Sequence, residues 1–577
     1  MNCILAAESS SNNTMFYVIF AIVAAVIYLF FLGIKQTKNN RSIRRAKLKA
    51  QFGSISTRKY ASDDLDHIAH YYQNHKEGLD VVDDITWNDL DMDTLFQGMN
   101  TTCSSAGEEY LYHMLRTPKN SKEKVDEFND LVDIMDKNEE QRLKLQEKFQ
   151  AIGHTIKLSL SSYISSFQEL EEESIAIDVL CNILLVASIA SFFILPKFGI
   201  LFLIGVFTFN IIKYYSEKAK FESYFICIGY LVRLTKNSDG LSKLQDMDPK
   251  IVPYLETLGT HAGSLSKIVS KASLIGSGDK GGGGNILEAI LDYIRLITHI
   301  DLIQFKGLIS LVKGHSQDIE ALLAGVGYLE CAVAVASYRH ALPFYAVPDF
   351  TQETSPAIRM TDGFHPLLAT PVANNIEVER SVLLTGSNAS GKSTFIKTVA
   401  ICQILSQTIA TAPAHSFSTH FYRIYTSMAL KDNLQNNESY YMVEIKSLKR
   451  ILDANGNGLP VLCFVDEVLR GTNTVERVSA SSQILYNMAE SGILCFAATH
   501  DIELTYLLED TFDNYHFKET VTDNDISFDY ILNKGRATTR NAIRLLKILG
   551  YDEKIITSAE QTAQTYLSSG EWRMNTQ

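Results

Sequence analysis

Residues 382–394 read VLLTGSNASGKST, and few stretches restrict a fold as tightly. An apolar run (Val382, Leu383, Leu384) enters a loop bracketed by Gly386 and Gly391. Lys392, Ser393 and Thr394 follow, and the helical pattern FIKTVAICQIL comes next. Strand, glycine-bracketed loop and helix is the context that the pattern G-x-x-x-x-G-K-S/T requires. The two glycines let the backbone N–H groups around Ser387, Asn388, Ala389 and Ser390 turn inward on a phosphate. The helix beginning near Lys392 aims its positive end at the same anion. In that geometry the Lys392 amine neutralises β- and γ-phosphates, and the Ser393 hydroxyl is a ligand for Mg²⁺.

Two further strand ends support a nucleotide site. Residues 461–465 are continuously apolar, as in a strand buried on both faces of a parallel sheet, and end in Asp466 and Glu467. The first carboxylate can hold the water shell of Mg²⁺ and the second can orient an attacking water. A third run, 492–498, ends in Thr499 and His500, where an imidazole reaches a γ-phosphate. A single polar strand end is commonplace; three in this order predict a bound nucleotide.

At 577 residues the chain is long enough for more than one domain. A net charge of −13 argues against a uniformly basic nucleic-acid coat, though not against a local basic groove. The eight cysteines form no CxxC pair and lie mostly in apolar segments. Buried free thiols fit that placement better than a disulfide framework or a zinc site.

Residues 15–34 are uncharged and, at about 1.5 Å per residue, long enough to cross a hydrocarbon core of about 30 Å. Nine basic residues, from Lys35 to Lys59, follow before the first acid, Asp63. The positive-inside rule then puts everything after the span in the cytoplasm, and the expected location is a bacterial inner membrane. A cleaved signal peptide needs its positive charge ahead of the apolar run, and none is there. The basic stretch can meet anionic headgroups or DNA.

Residues 63–173 are polar with helical periodicity, and Leu111, Met114 and Leu115 form a core stripe. Two apolar runs, 179–195 and 198–212, are broken at Pro196-Lys197 and flanked by charge. They predict either a transmembrane hairpin with cytoplasmic ends or a buried helical hairpin. Helical pattern resumes at 221–350, with long helices over 286–312 and 319–338 and a glycine loop at 281–284. From 351 strands and helices alternate, as in a parallel sheet covered on both faces.

Beyond the loop itself, several segments resemble the MutS family of DNA mismatch-repair ATPases. They are Gly363-Phe-His365-Pro366, Ala373-Asn374-Asn375, NLQNNESYYMVE (433–444), VDEVLRGTNT (465–474) and Ala498-Thr499-His500. More weakly, 91–118 is similar to the start of that family's helical lever. The resemblance implies a multidomain protein: an all-α lever and core domain plus an α/β ATPase domain of ABC type, with the N-terminal membrane helix and the hairpin added. The expected division is 1–34 tail and span, 35–62 basic linker, 63–174 first lever part, 175–215 hairpin, 216–350 second lever part, 351–565 ATPase domain and 566–577 tail. It further implies a homodimer in which Ser439 caps the nucleotide of the partner subunit. Lys392 and Ser393 then hold phosphate and Mg²⁺, Asp466 is the metal-side acid, Glu467 activates water and His500 senses the γ-phosphate of ATP.

The sequence also departs from the family. The first sixty residues leave no room for its mismatch-reading domain, and Phe167-Gln168-Glu169 matches the intercalating pattern only by coincidence. Leu469 replaces a usual glycine, and Pro371-Val372 stand where an aromatic platform for adenine is common. Two functions are therefore expected as alternatives: an ATP-switched DNA clamp held at a membrane, or an ATP-driven mechanical switch acting on membrane or protein partners without DNA.

Overall fold

The computed structural model describes residues 42–572, except 156–157, 172, 273–285, 351–357, 388–389, 429–439, 457, 522–525, 538–542, 544–545, 547–549 and 571. The expected span at 15–34, the glycine loop at 281–284, Asn388, Ala389 and Ser439 thus lie outside the described residues.

Helices make up the N-terminal part: α1 (42–51), α2 (Ser62–His75), α3 (Asp84–Asp89), α4 (Met92–Met99), α5 (Ser105–Arg116), α6 (Lys122–Lys137), α7 (Glu139–Ile152) and α8 (Leu160–Glu169). Next come α9 (Ala176–Ile194), α10 (Pro196–Ser242), α11 (Val252–Ser264), α12 (Ser266–Lys271), α13 (Ile286–Thr298), α14 (Ile300–Gly314) and α15 (Ser316–Ala341). The expected stripe of Leu111, Met114 and Leu115 is buried, and α5 packs it against α15. Phe167, of the Phe167-Gln168-Glu169 pattern, is a core residue set edge-on against Tyr224.

Three basic residues of the N-terminal stretch pair with acids on neighbouring helices. Arg45 pairs with Glu140 and Glu147, Lys49 with Glu139, and Arg58 with Glu108. That part of the stretch straps α1 and its following turn onto α7 and α5.

The apolar runs form two antiparallel helices, α9 and α10, and Pro196 opens the second, where its missing N–H costs no hydrogen bond. Leucine, isoleucine and phenylalanine side chains point outward along both; at the tip Phe193, Ile194 and Phe198 are 77 %, 76 % and 74 % exposed. Helix α10 does not stop at residue 212 but runs for 47 residues into the helical core. At the hairpin's foot, buried Asp178 meets Lys213 (2.7 Å), Lys306 (2.9 Å) and His299 (3.2 Å). His299 also corrects the expected single helix over 286–312. It sits buried in the left-handed region (φ 52°) with its ring between Asp178 and the Asn210 carbonyl, and so separates α13 from α14.

The C-terminal part holds β1 (Asp349–Phe350), β2 (Ile358–Gly363), β3 (Asn374–Val378), β4 (Ser381–Thr385), α16 (Lys392–Ile409), β5 (Ser416–Thr419), β6 (Arg423–Ser427), α17 (Tyr440–Asp453) and β7 (Val461–Asp466). It continues with α18 (Thr474–Glu490), β8 (Leu494–Ala498), α19 (Leu504–Leu507), β9 (Phe512–Val521), β10 (Ile526–Lys534) and α20 (Glu553–Ser569). A six-stranded sheet has the order β10-β9-β4-β8-β7-β6, parallel except for the β9–β10 hairpin. Beside it lies a four-stranded sheet, β1-β5-β2-β3.

Alternation of side chains explains why both faces are covered. Leu462 and Phe464 join the core containing α16, whereas Val461, Cys463 and Val465 join the one containing Leu448 of α17 and Leu485 of α18. Helix α3 fixes the helical part to this sheet: buried Asp89 accepts from Thr426 Oγ1 (2.7 Å) and the Met428 N–H (2.9 Å). Arg450 completes the joint at 2.6 Å from Asp83.

Candidate nucleotide site

The loop between β4 and α16 turns as its glycines predict. Gly386 (φ 144°) and Gly391 (φ 106°) occupy backbone conformations that L side chains avoid. A Cβ on Gly391 would also lie 3.2 Å from the Tyr530 ring. Lys392 is 5 % exposed and is not turned into the apolar core. Its amine folds back over the loop to donate to the carbonyls of Gly386 (2.8 Å) and Ser387 (2.9 Å). Burial lowers the amine's pKa, while Asp466, Glu467 and Glu519 oppose that shift. The Ser387 hydroxyl donates to Glu519 of β9, and Ser390 is buried at the loop's end. Ser393 and Thr394 are exposed in the first turn of α16.

Sheet register gathers the other predicted groups. Leu384 and Asp466 both pair with Ala498, and the Thr499 N–H donates to Leu384 O at 2.9 Å, so the tips of β4, β7 and β8 lie side by side. Glu467 leaves β7 in the left-handed region (φ 58°). One oxygen of its carboxylate lies 2.9 Å from His500 Nε2 and the other 2.5 Å from Arg470 Nε. Burial raises the Glu467 pKa, but His500 and Arg470 outweigh it and hold the carboxyl below its usual value.

Lys392, Ser393 and Glu467 line a cavity of about 390 Å³ together with Leu368, Val372 and Tyr530, among others. Tyr530 was not legible in the sequence. It sits on a bulge of β10 between Phe528 and Leu532, at φ 56°. Asn374 holds that bulge, donating to Tyr530 O (2.9 Å) and accepting from the Leu532 N–H (2.7 Å). Its ring supplies an aromatic face in the cavity that Pro371 and Val372 also line.

A hydroxyl, a carboxylate and open space suit Mg²⁺, which takes few protein oxygens and keeps waters or phosphates for the rest. Ser393 lines the cavity and Asp466 ends β7 beside β8, and the two offer those donor types. Among the described residues no cluster of three or more His, Cys, Asp or Glu side chains could hold a metal ion alone.

Residues 382–566 match the family model described as MutS domain V. The chain is a MutS-family protein. It is 30 % identical over 274 residues to MutS protein homolog 4 of Mus musculus, covering 44 % of this chain and 28 % of that protein. It is 26 % identical over 293 residues to the DNA mismatch repair protein MutS of Methanococcoides burtonii (48 % and 32 % covered). With the DNA mismatch repair protein MutS of Thermotoga maritima it shares 29 % over 266 residues (44 % and 33 %). The chain spans about a third of the length of these relatives. The MutS domain V match contains every predicted loop, strand-tip and trans-capping residue.

Proposed function

We propose that this MutS-family chain binds and hydrolyses ATP with Mg²⁺ and uses the cycle to switch a dimeric, DNA-binding clamp related to mismatch repair, held at a bacterial inner membrane with its ATPase part in the cytoplasm. The observation that carries the reading is that Lys392, Ser393 and Glu467 line one cavity, with His500 paired to Glu467 and the Tyr530 ring on the same cavity's wall.

The adenine stacks on Tyr530, with Leu368 and Val372 forming the apolar wall. The triphosphate takes the place of the loop carbonyls now bonded to Lys392, and the N-terminus of α16 faces the same charge. Ser393, and Asp466 through water, would hold Mg²⁺, which would supply neutralising charge to the phosphates. Glu467 accepts a proton from the attacking water once Arg470 moves off its carboxylate, and His500 keeps that carboxylate aimed. Ser439 of the partner subunit closes the site.

A second reading is favoured by the apolar hairpin. Among the described residues three helices are long and apolar enough to cross a membrane; α15 is enclosed by protein, whereas α9 and α10 leave most of their apolar surface outside. If these helices and residues 15–34 sit in the bilayer, ATP-driven motion of the helical part acts on membrane or protein partners without DNA.

The deciding experiment uses the detergent-solubilised full chain. ATP turnover lost in Lys392→Met and Glu467→Gln, with ATP still bound by the latter, supports the catalytic reading; turnover unchanged by Glu467→Gln rejects it. Duplex or branched DNA binding that weakens steeply with salt supports the clamp. Binding absent at low salt, with and without ATP, leaves the membrane switch.

A further inference from the structure

Glu444 is a carboxylate that the chemistry above does not use, yet it is 2 % exposed. It lies in the first turns of α17, whose Leu448 and Ile451 anchor the helix in the core beneath β7. Its Oε1 accepts the Leu469 N–H at 2.5 Å, and the N–H of Arg470 also helps to hold the carboxylate. Those two residues belong to the turn that leaves the tip of β7 and carries Glu467.

That turn is conformationally expensive. Glu467 (φ 58°) and Leu469 (φ 59°) both lie in the left-handed region without being glycine, asparagine or aspartate. Each such residue is strained, so the turn persists only where its surroundings over-determine it. Three contacts do so. Glu467 N–H donates to Ala498 O (2.9 Å), Ser481 Oγ donates to Val468 O (3.2 Å), and Glu444 takes the Leu469 N–H. Two residues beyond Leu469, Gly471 lies against α17 so closely that a Cβ would sit 2.9 Å from that of Tyr441. Of these holds, Glu444 is the one that bonds the second strained residue itself.

We propose that Glu444 is a positioning residue for ATP hydrolysis: by accepting the Leu469 N–H it fixes the 467–470 turn, and so sets where the Glu467 carboxylate stands relative to His500 and the cavity. The role rests on the ATPase reading above and deepens it. Glu444 touches neither nucleotide nor water; it acts through Glu467. With it gone, the turn relaxes toward right-handed backbone and the Glu467 carboxylate leaves His500. A misplacement of about 1 Å can cost about a hundredfold in rate.

The test compares Glu444→Ala, which removes the acceptor, with Glu444→Gln, which keeps a side-chain carbonyl where Oε1 stands. In the detergent-solubilised full chain, Glu444→Ala lowers kcat at least about tenfold while ATP affinity changes less than about twofold, and Glu444→Gln recovers most of the loss. In a Glu467→Gln background the alanine change adds less than about twofold, because the group it positions is already disabled. Parent-like kcat in Glu444→Ala overturns the proposal. So does a further large loss in the Glu467→Gln background, or equal loss of rate, ATP affinity and melting temperature in both Glu444 variants, which marks a merely structural acid. If the parent does not turn over ATP, the ATPase reading and this role fall together. If the parent does and Lys392→Met does not, failure at Glu444 is a failure of this role alone.

Discussion

The guanidinium of Arg339, in the last turn of α15, donates to the carbonyl of Ala410, the residue that ends α16, at 2.7 Å. Helix α16 begins at Lys392, so one helix runs from the phosphate-loop sequence to a joint with the longest enclosed helix of the helical part. Lys119, between α5 and α6, takes the neighbouring carbonyl: its N–H donates to Gln407 O at 2.8 Å. Cations and donors at a helix C-terminus satisfy carbonyls that have no intrahelical partner. Here they also couple both sides of the molecule through a rigid rod.

Arg339 is 3 % exposed and also donates to Thr411 Oγ1 (2.9 Å) and Asn129 Oδ1 (2.8 Å). Replacing it by Met leaves several buried acceptors without a donor. Chemical denaturation should show a loss of about 2–4 kcal/mol. Lysine, with no planar fork, should restore only part. A loss below about 0.5 kcal/mol would mean that the joint is slack.

Tyr530→Ala should weaken ATP binding about tenfold, since stacking a base on an aromatic ring contributes about 1–3 kcal/mol. Tyr530→Phe keeps the face and should bind within about twofold of the parent. Titration with a fluorescent ATP analogue reads both. Equal affinities for Ala and Phe variants would place the base elsewhere in the cavity.

How much of this was visible beforehand depends on whether the determinants are local. The glycine loop, the Asp466-Glu467 strand tip and His500 are contiguous motifs with apolar strands ahead of them, and the parallel sheet brings their ends together as their order predicts. Tyr530 shows no such signal. It becomes a wall of the cavity only because Asn374, on another strand, holds a bulge open 156 positions away in the chain. His299 misleads periodicity for the same reason: its left-handed backbone is stabilised by Asp178 and the Asn210 carbonyl, which lie far off in sequence. The charges at 45–58 look free in one dimension because their acidic partners sit on α5 and α7.

His365 lines the cavity, is 8 % exposed, and accepts the Leu367 N–H at Nδ1 (3.3 Å), so its ring is neutral. Burial pushes its pKa down to about 4 from 6.5. Between those values the unfolded chain binds the extra proton and the folded chain does not. Its contribution to stability is therefore intact above pH 6.5 and is lost progressively as pH falls toward about 4. His365→Asn should flatten the acid side of a melting-temperature profile, a difference of roughly 1–3 kcal/mol across the window. An unchanged profile would show that the ring titrates freely in the folded protein.

The foot of the hairpin supplies the last test. Lys306 is 7 % exposed and its amine reaches Asp178 (2.9 Å), Glu217 (3.0 Å) and Glu173 (3.3 Å), while Asp178 is fully buried. Breaking a buried pair by removing one partner typically costs about 3–5 kcal/mol, because the remaining charge has no compensation. Lys306→Met should therefore loosen α9 from α14, read as lower stability in detergent and faster protease cleavage around residues 170–176. Asp178→Asn removes the other charge and relieves that burial. The double variant should accordingly be more stable than the sum of the two single losses implies, by about 1 kcal/mol or more. Strict additivity would mean that the two charges do not act on each other, and that the remaining polar contacts and apolar packing hold the hairpin's foot.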